Sequence, residues 1–244
     1  MRVLMGIAFA LLAFISCETR RDSRANNAKG DNIVRSYFKD GKLKSEISVK
    51  HGLHDGLSKS YYANGKISLE LFYQAGKRHG MSRRYYESGG LYQVTEYKDD
   101  KIDGSRKKYT KQGKLMSEES FVNNLPCNFL KEYLDDGSLR KGYPTIIIFP
   151  VDRLKHDGTY ILKLSLSNHG KRVKYYKGLL APSGCMTEYT EPLFTDSKTG
   201  IGQVRYYLVP GGFQMEELHI IAEITTLMGN TYLAQRSFNV SIEN

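Results

Sequence analysis

One spacing constrains this chain more than any other feature, a step of 24 residues. Tyr37, Tyr61, Tyr85, Tyr109 and Tyr133 lie on it, and so do Gly41, Gly65, Gly89, Gly113 and Gly137. Leu43, Ile67, Leu91, Leu115 and Leu139 make a third column, and Val49, Tyr73, Tyr97 and Phe121 a fourth. Gly56, Gly80 and Gly104 close the first three units, with Asn128 in that place in the fourth. A fixed period in this range, kept without insertion, implies an array of small units, each able to bury its apolar surface only against its neighbours. The fifth unit is a half repeat that stops near Gly142.

Each unit reads as a β-hairpin. In the second, residues 57–62 form one strand, Ala63-Asn64-Gly65-Lys66 the turn and residues 67–73 the return strand. Asn-Gly and Asp-Gly suit a two-residue type I′ loop, in which both residues need positive φ. Asn64-Gly65, Asp40-Gly41 and Asp136-Gly137 meet that demand, whereas Ser88-Gly89 and Gln112-Gly113 meet it less well. Residues 76–80 then lead into the next unit. A two-residue loop sets Lys59 opposite Glu70, Arg35 opposite Glu46, Lys107 opposite Glu118 and Arg83 opposite Val94. Opposite charges facing across strands stabilise a hairpin. An isolated hairpin is marginal in water, so stacking must supply the rest.

Tyr61-Tyr62-Ala63-Asn64-Gly65-Lys66 and Gly76-Lys77-Arg78-His79-Gly80, echoed at Tyr85-Tyr86 to Gly89 and at Lys101 to Gly104, resemble the MORN-repeat variant family. The third unit departs with Gly90 for Lys, and the fourth with Thr110 for the second Tyr. The resemblance covers residues 33–142. It implies an antiparallel hairpin array used for binding or scaffolding. Some bacterial members carry the label of putative antitoxin, which makes an antitoxin-like or immunity partner of one specific protein the alternative function.

The start of the chain points to export. Arg2 is followed by the uncharged apolar run 3–15, too short to span a bilayer comfortably and suited to the core of a signal peptide. It ends in Phe14-Ile15-Ser16-Cys17, which resembles the lipobox of bacterial lipoproteins, as in Bacteroidetes, with Phe14 where Leu is usual. The resemblance implies lipidation of Cys17 and a membrane anchor. Several acyl chains hold where one would not. Polar residues 18–32 read as a flexible tether. The expected organisation is a signal peptide at 1–17, the tether at 18–32, the array at 33–142 and a second domain at 143–244. The expected location is the cell envelope, on a periplasmic or outer-membrane face, which disfavours nucleic acid as a partner.

From Tyr143 onward the step is lost. Residues 145–151, 158–167, 173–180, 186–189, 203–209, 218–227 and 231–242 read as strands between turns. This all-β pattern predicts an immunoglobulin-like β-sandwich, although the Cys…Trp…Cys signature is missing. Cys127 and Cys185 fall in different domains. An oxidising compartment permits a bond between them, and two buried thiols fit equally well.

Charge divides the chain in the same place. Residues 18–142 hold 25 Lys and Arg against 17 Asp and Glu, and residues 143–244 hold 10 against 9. Arg35, Lys59, Arg83, Lys107 and Lys131 make one position basic in every unit, on the same strand face as Tyr37, Tyr61, Tyr85, Tyr109 and Tyr133. Stacked units would carry this basic column as a ladder about 40 Å long, suited to an acidic protein or another anionic envelope surface. Part of its charge is consumed by Glu46, Glu70 and Glu118.

No catalytic pattern emerges. His51 and His54 sit in a Gly-rich turn without further ligands, Cys185 near Glu188 has no motif-placed His, and Gly211-Gly212 after Pro210 is a turn. The expectation is a protein that is no enzyme and needs no metal or cofactor. An unrecognised envelope hydrolase is the remaining class.

Overall fold

The computed structural model describes residues 32–244. The Cys17 anchor, the signal peptide and the tether up to Asp31 lie outside the described residues. Strand formation follows the columns. The array strands are β1 (Asn32–Tyr37), β2 (Leu43–Lys50), β3 (Leu53–Tyr61), β4 (Ile67–Gln74), β5 (Lys77–Arg78), β6 (Gly80–Tyr85), β7 (Leu91–Lys98), β8 (Lys101–Tyr109), β9 (Leu115–Val122), β10 (Leu125–Pro126) and β11 (Lys131–Glu132). They form one antiparallel sheet in the order β1-β2-β3-β4-β6-β7-β8-β9-β10, with β5 on β4 and β11 on β9.

The expected charge register holds, although the loop that was to set it does not. Arg35 pairs with Glu46, Lys59 with Glu70, Arg83 with Val94 and Lys107 with Glu118. The tip, however, is a three-residue loop. The Gly65 amide donates to the Tyr62 carbonyl, the Tyr62 amide donates to the Lys66 carbonyl, and of the tip residues only Gly65 has positive φ (84°). This is a turn closed by a left-handed glycine bulge. A second irregularity between Ser60 and Tyr61 restores the register that a two-residue loop would have produced. Because glycine alone must be left-handed, Ser88 and Gln112 fit their tips without strain. The residue pairs with two positive φ values lie between units instead, at His51-Gly52, Ala75-Gly76, Asp99-Asp100 and Asn123-Asn124.

The rest of the chain adds β12 (Ile146–Arg153), the single turn α1 (Leu154–Asp157), β13 (Thr159–Leu166), β14 (Val173–Lys177), β15 (Glu191–Pro192), β16 (Thr195–Asp196), β17 (Ile201–Tyr207), β18 (Phe213–Thr225) and β19 (Thr231–Glu243). Two four-stranded sheets result, β12-β13-β17-β16 and β15-β14-β18-β19. Lettered along the chain, these orders are ABED and C′CFG, an immunoglobulin-like arrangement. Alternate residues of both sheets fill one core, with Leu162, Leu164, Tyr175, Leu218 and Ala222 fully buried. The expected strand at 186–189 is not formed; the short strands β15 and β16 follow it. Met186 and Leu233 instead pack with Ile221 in a separate apolar cluster that includes Leu125 of the array.

Residues Asp31–Asn244 form one compact unit. Besides that cluster, three kinds of contact join its array and sandwich. Cys127 is disulfide-bonded to Cys185. The chain around that bond pairs further, with the Asn128 amide donating to the Gly184 carbonyl and the Met186 amide to the Pro126 carbonyl, both at 2.9 Å. A buried polar network completes the joint. The Glu132 carboxylate accepts from the Thr226 hydroxyl and from Asn230 Nδ2 at 2.7 Å, and Lys108 Nζ donates to Asn230 Oδ1 at 2.6 Å. Buried Glu119 accepts from the Thr231 amide at 2.8 Å.

Candidate functional site

Register places the basic column and its carboxylates in one row across the sheet. Glu46 stands between Arg35 and Lys59, Glu70 between Lys59 and Arg83, and Glu118 between Lys107 and Lys131. The third unit breaks the alternation, because Arg83 and Lys107 both face Val94. Two of the pairs close as ion pairs, Arg35 Nε to Glu46 at 2.9 Å and Lys107 Nζ to Glu118 at 3.1 Å. Arg35, Arg83 and Lys131 are exposed, while Lys59 and Lys107 are half-buried.

The tyrosine column is tied to the same row. The Tyr61 hydroxyl donates to Glu46 and the Tyr85 hydroxyl to Glu70, each at 2.7 Å. Burial, then the hydrogen bond to the carboxylate, pushes both phenols up to about 12. The Tyr61 hydroxyl and the Arg35 guanidinium hold Glu46 below the usual carboxylate range, and the hydrogen bond to Glu118 raises Lys107. Tyr37 is exposed, and Tyr109 and Tyr133 are half-buried. Tyr133 pairs with Leu139, and the Gly137 amide donates to the Leu134 carbonyl, so the half repeat keeps the hairpin tip.

A second tyrosine column fastens each unit to the next. The Tyr62 hydroxyl donates to the Tyr85 carbonyl at 2.6 Å, and the Tyr86 hydroxyl to the Tyr109 carbonyl at 2.7 Å. Lys66 Nζ and Asn64 Nδ2 reach the Ser88 and Glu87 carbonyls. The fourth column has its own pairing rule. Tyr73, Tyr97 and Phe121 each stand opposite a glycine, Gly56, Gly80 and Gly104, where no side chain competes for the space. Arg78 lies over the Tyr97 ring and Arg106 over the Phe121 ring, each at 4.5 Å, a favourable cation–π geometry. His54 packs edge-on against Tyr73, and His51 sits in the turn before it.

This grammar identifies the repeats. The MORN repeat variant pattern matches four consecutive segments, residues 31–51, 55–75, 78–99 and 102–123. These four units are similar to the MORN repeat variant family. The half repeat after Asn124 and the sandwich lie beyond the matched residues. No curated protein matches the chain. MORN repeats suggest a binding or scaffold role built on the repeats. On the row, the Tyr61 and Tyr85 hydroxyls are engaged with Glu46 and Glu70, and Glu118 is engaged with Lys107.

The sequence columns pointed to the row itself. They did not reveal Lys108, Glu119 and Glu132, which leave the repeat grammar to bind Asn230, Thr231 and Thr226 more than ninety residues away. The one local signal was that the fifth unit loses its return strand.

Proposed function

We propose that this protein is an exported, membrane-tethered binding lipoprotein without catalysis of its own. Cys17 supplies the anchor, and the array offers Arg35, Lys59, Arg83, Lys107 and Lys131, with their tyrosines, to an acidic protein or another anionic envelope surface. One observation carries the reading. The row holds five basic side chains against three carboxylates, and the surplus is concentrated where Arg83 and Lys107 flank Val94. Long-range attraction of this kind steers association and is screened within about 8 Å at physiological salt.

The test uses the full chain. Binding to anionic vesicles and to envelope extracts is measured at low and high salt, for the native protein and for Arg83→Glu combined with Lys107→Glu. The reading expects binding that falls with salt and is lost in the double variant. Binding indifferent to both would overturn it. For the anchor, Cys17→Ala should move the protein from the membrane to the soluble fraction, and retention after a high-salt wash would overturn lipidation.

A further inference from the structure

A second cationic feature lies away from the row. A cleft of about 490 Å³ opens beside the joint between array and sandwich. Arg140 and Lys141 line it from the segment that leaves the array, and Lys171 and Arg172 from the loop between β13 and β14. Leu166 and Ile224, both buried, form part of its floor. No Asp or Glu is among the described residues lining it.

Lys141, Lys171 and Arg172 are exposed and Arg140 is half-buried, and two features set the group apart. The walls are fixed. Val173 pairs with Ile224, so Lys171 and Arg172 lead directly into a core strand, and the Arg140 amide is held by the Glu132 carbonyl at 2.7 Å. The charge is also largely uncompensated. Arg140 reaches Glu132 at 3.4 Å, but Lys141, Lys171 and Arg172 form no ion pair among the described residues. Residues 143–244 are otherwise close to neutral, yet two adjacent cations from this segment meet two from the array's last turn. Holding like charges around one concave space is unfavourable unless an anion sits among them, and low-dielectric walls of one sign concentrate the field on such an anion.

We propose that this cleft is a binding site for a phosphate group. A phosphate carries up to two negative charges and offers several acceptor oxygens, which suits convergent guanidinium and ammonium donors better than a single carboxylate does. The volume lies in the range of small-ligand sites, and the apolar floor has room for the organic part of a phosphate ester. The group comes from a soluble phosphate ester or from a phospholipid headgroup. The site goes beyond the array reading, because none of its four cations belongs to the row.

The experiment titrates the full chain with inorganic phosphate and with glycerol phosphate, following the amide resonances of Gly142 and Gly170. In parallel, sedimentation with vesicles of phosphatidylglycerol or of phosphatidylcholine is measured in the Arg83→Glu, Lys107→Glu background, which removes the row's own attraction to anionic vesicles. Saturable shifts at both glycines are expected, weakened on the order of tenfold in Lys171→Ala combined with Arg172→Ala, and also in Lys141→Ala. Lys163→Ala, on the exposed face of β13, should change nothing. A response to the soluble phosphates identifies a free ester, and one confined to phosphatidylglycerol vesicles identifies a headgroup. No saturable response to either source, or one that the cleft variants retain, overturns the proposal. The row charge reversal leaves the shifts at Gly142 and Gly170 untouched, and the vesicle arm is read in its background, so the two readings fail separately.

Discussion

Glu132 is fully buried, and its carboxylate accepts from Thr226, Asn230, Tyr143 and Arg140. Replacing it with alanine leaves these donors facing a void. Glu132→Ala should therefore cost about 3–5 kcal/mol in chemical denaturation, and Glu132→Gln less, since an amide still accepts. A smaller but telling case is Gly202, where an added Cβ would lie 2.4 Å from the ring of fully buried Tyr175. Gly202→Ala should cost about 1–3 kcal/mol by overpacking. Acid acts through different residues. Glu46 is held below its ordinary pKa by Tyr61 and Arg35, and Glu216 by Lys177 and Tyr206. Groups depressed in the folded state contribute stability above their unfolded pKa and lose it as pH falls through the folded one. Melting temperature should thus drop as pH falls below about 4.5, and Glu46→Gln should flatten that slope. Little of this was visible in the sequence, because Glu132 and Asn230 share no period and no motif.

Hairpins are where sequence reading went furthest and where it misjudged a loop by one residue. Cross-strand charge pairs follow from column counting because side chains alternate with a period of two. The loop did not follow, because both the two-residue and the three-residue tip place glycine in the left-handed region at the same point. Asn64-Gly65 cannot distinguish them; Ser88 and Gln112, tolerated without positive φ, were the clue. The row supplies the sharpest prediction for an element. Val94→Glu would complete the alternation between Arg83 and Lys107, stabilising the third hairpin by a few tenths to about 1 kcal/mol. The same change should weaken binding to anionic vesicles. Stability and binding moving in opposite directions would separate a structural row from a recognition row.

At the scale of the molecule, array and sandwich are one body, for reasons that no local pattern displays. Strand counting found the long strands of the sandwich because alternation survives in them, but it missed the two-residue strands β15 and β16 and placed a strand at 186–189, where Met186 packs with Ile221 and Leu233. The bond between Cys127 and Cys185 closes a segment with a sequence separation of 58. Its loss in Cys127→Ser combined with Cys185→Ser should cost about 2–4 kcal/mol. Calorimetry should show a single transition for the oxidised protein. Adding Glu132→Ala to the double variant should split it into two, as array and sandwich melt apart. The joint has a further consequence. It occupies the β10 end of the sheet, whereas the units before it are fastened only to each other. A duplicated 24-residue unit inserted between β2 and β3 would thus displace β1 by two strand spacings, roughly 10 Å, and leave the sandwich undisturbed. Reach can be tuned by copying a unit, as a ruler is lengthened by one more graduation.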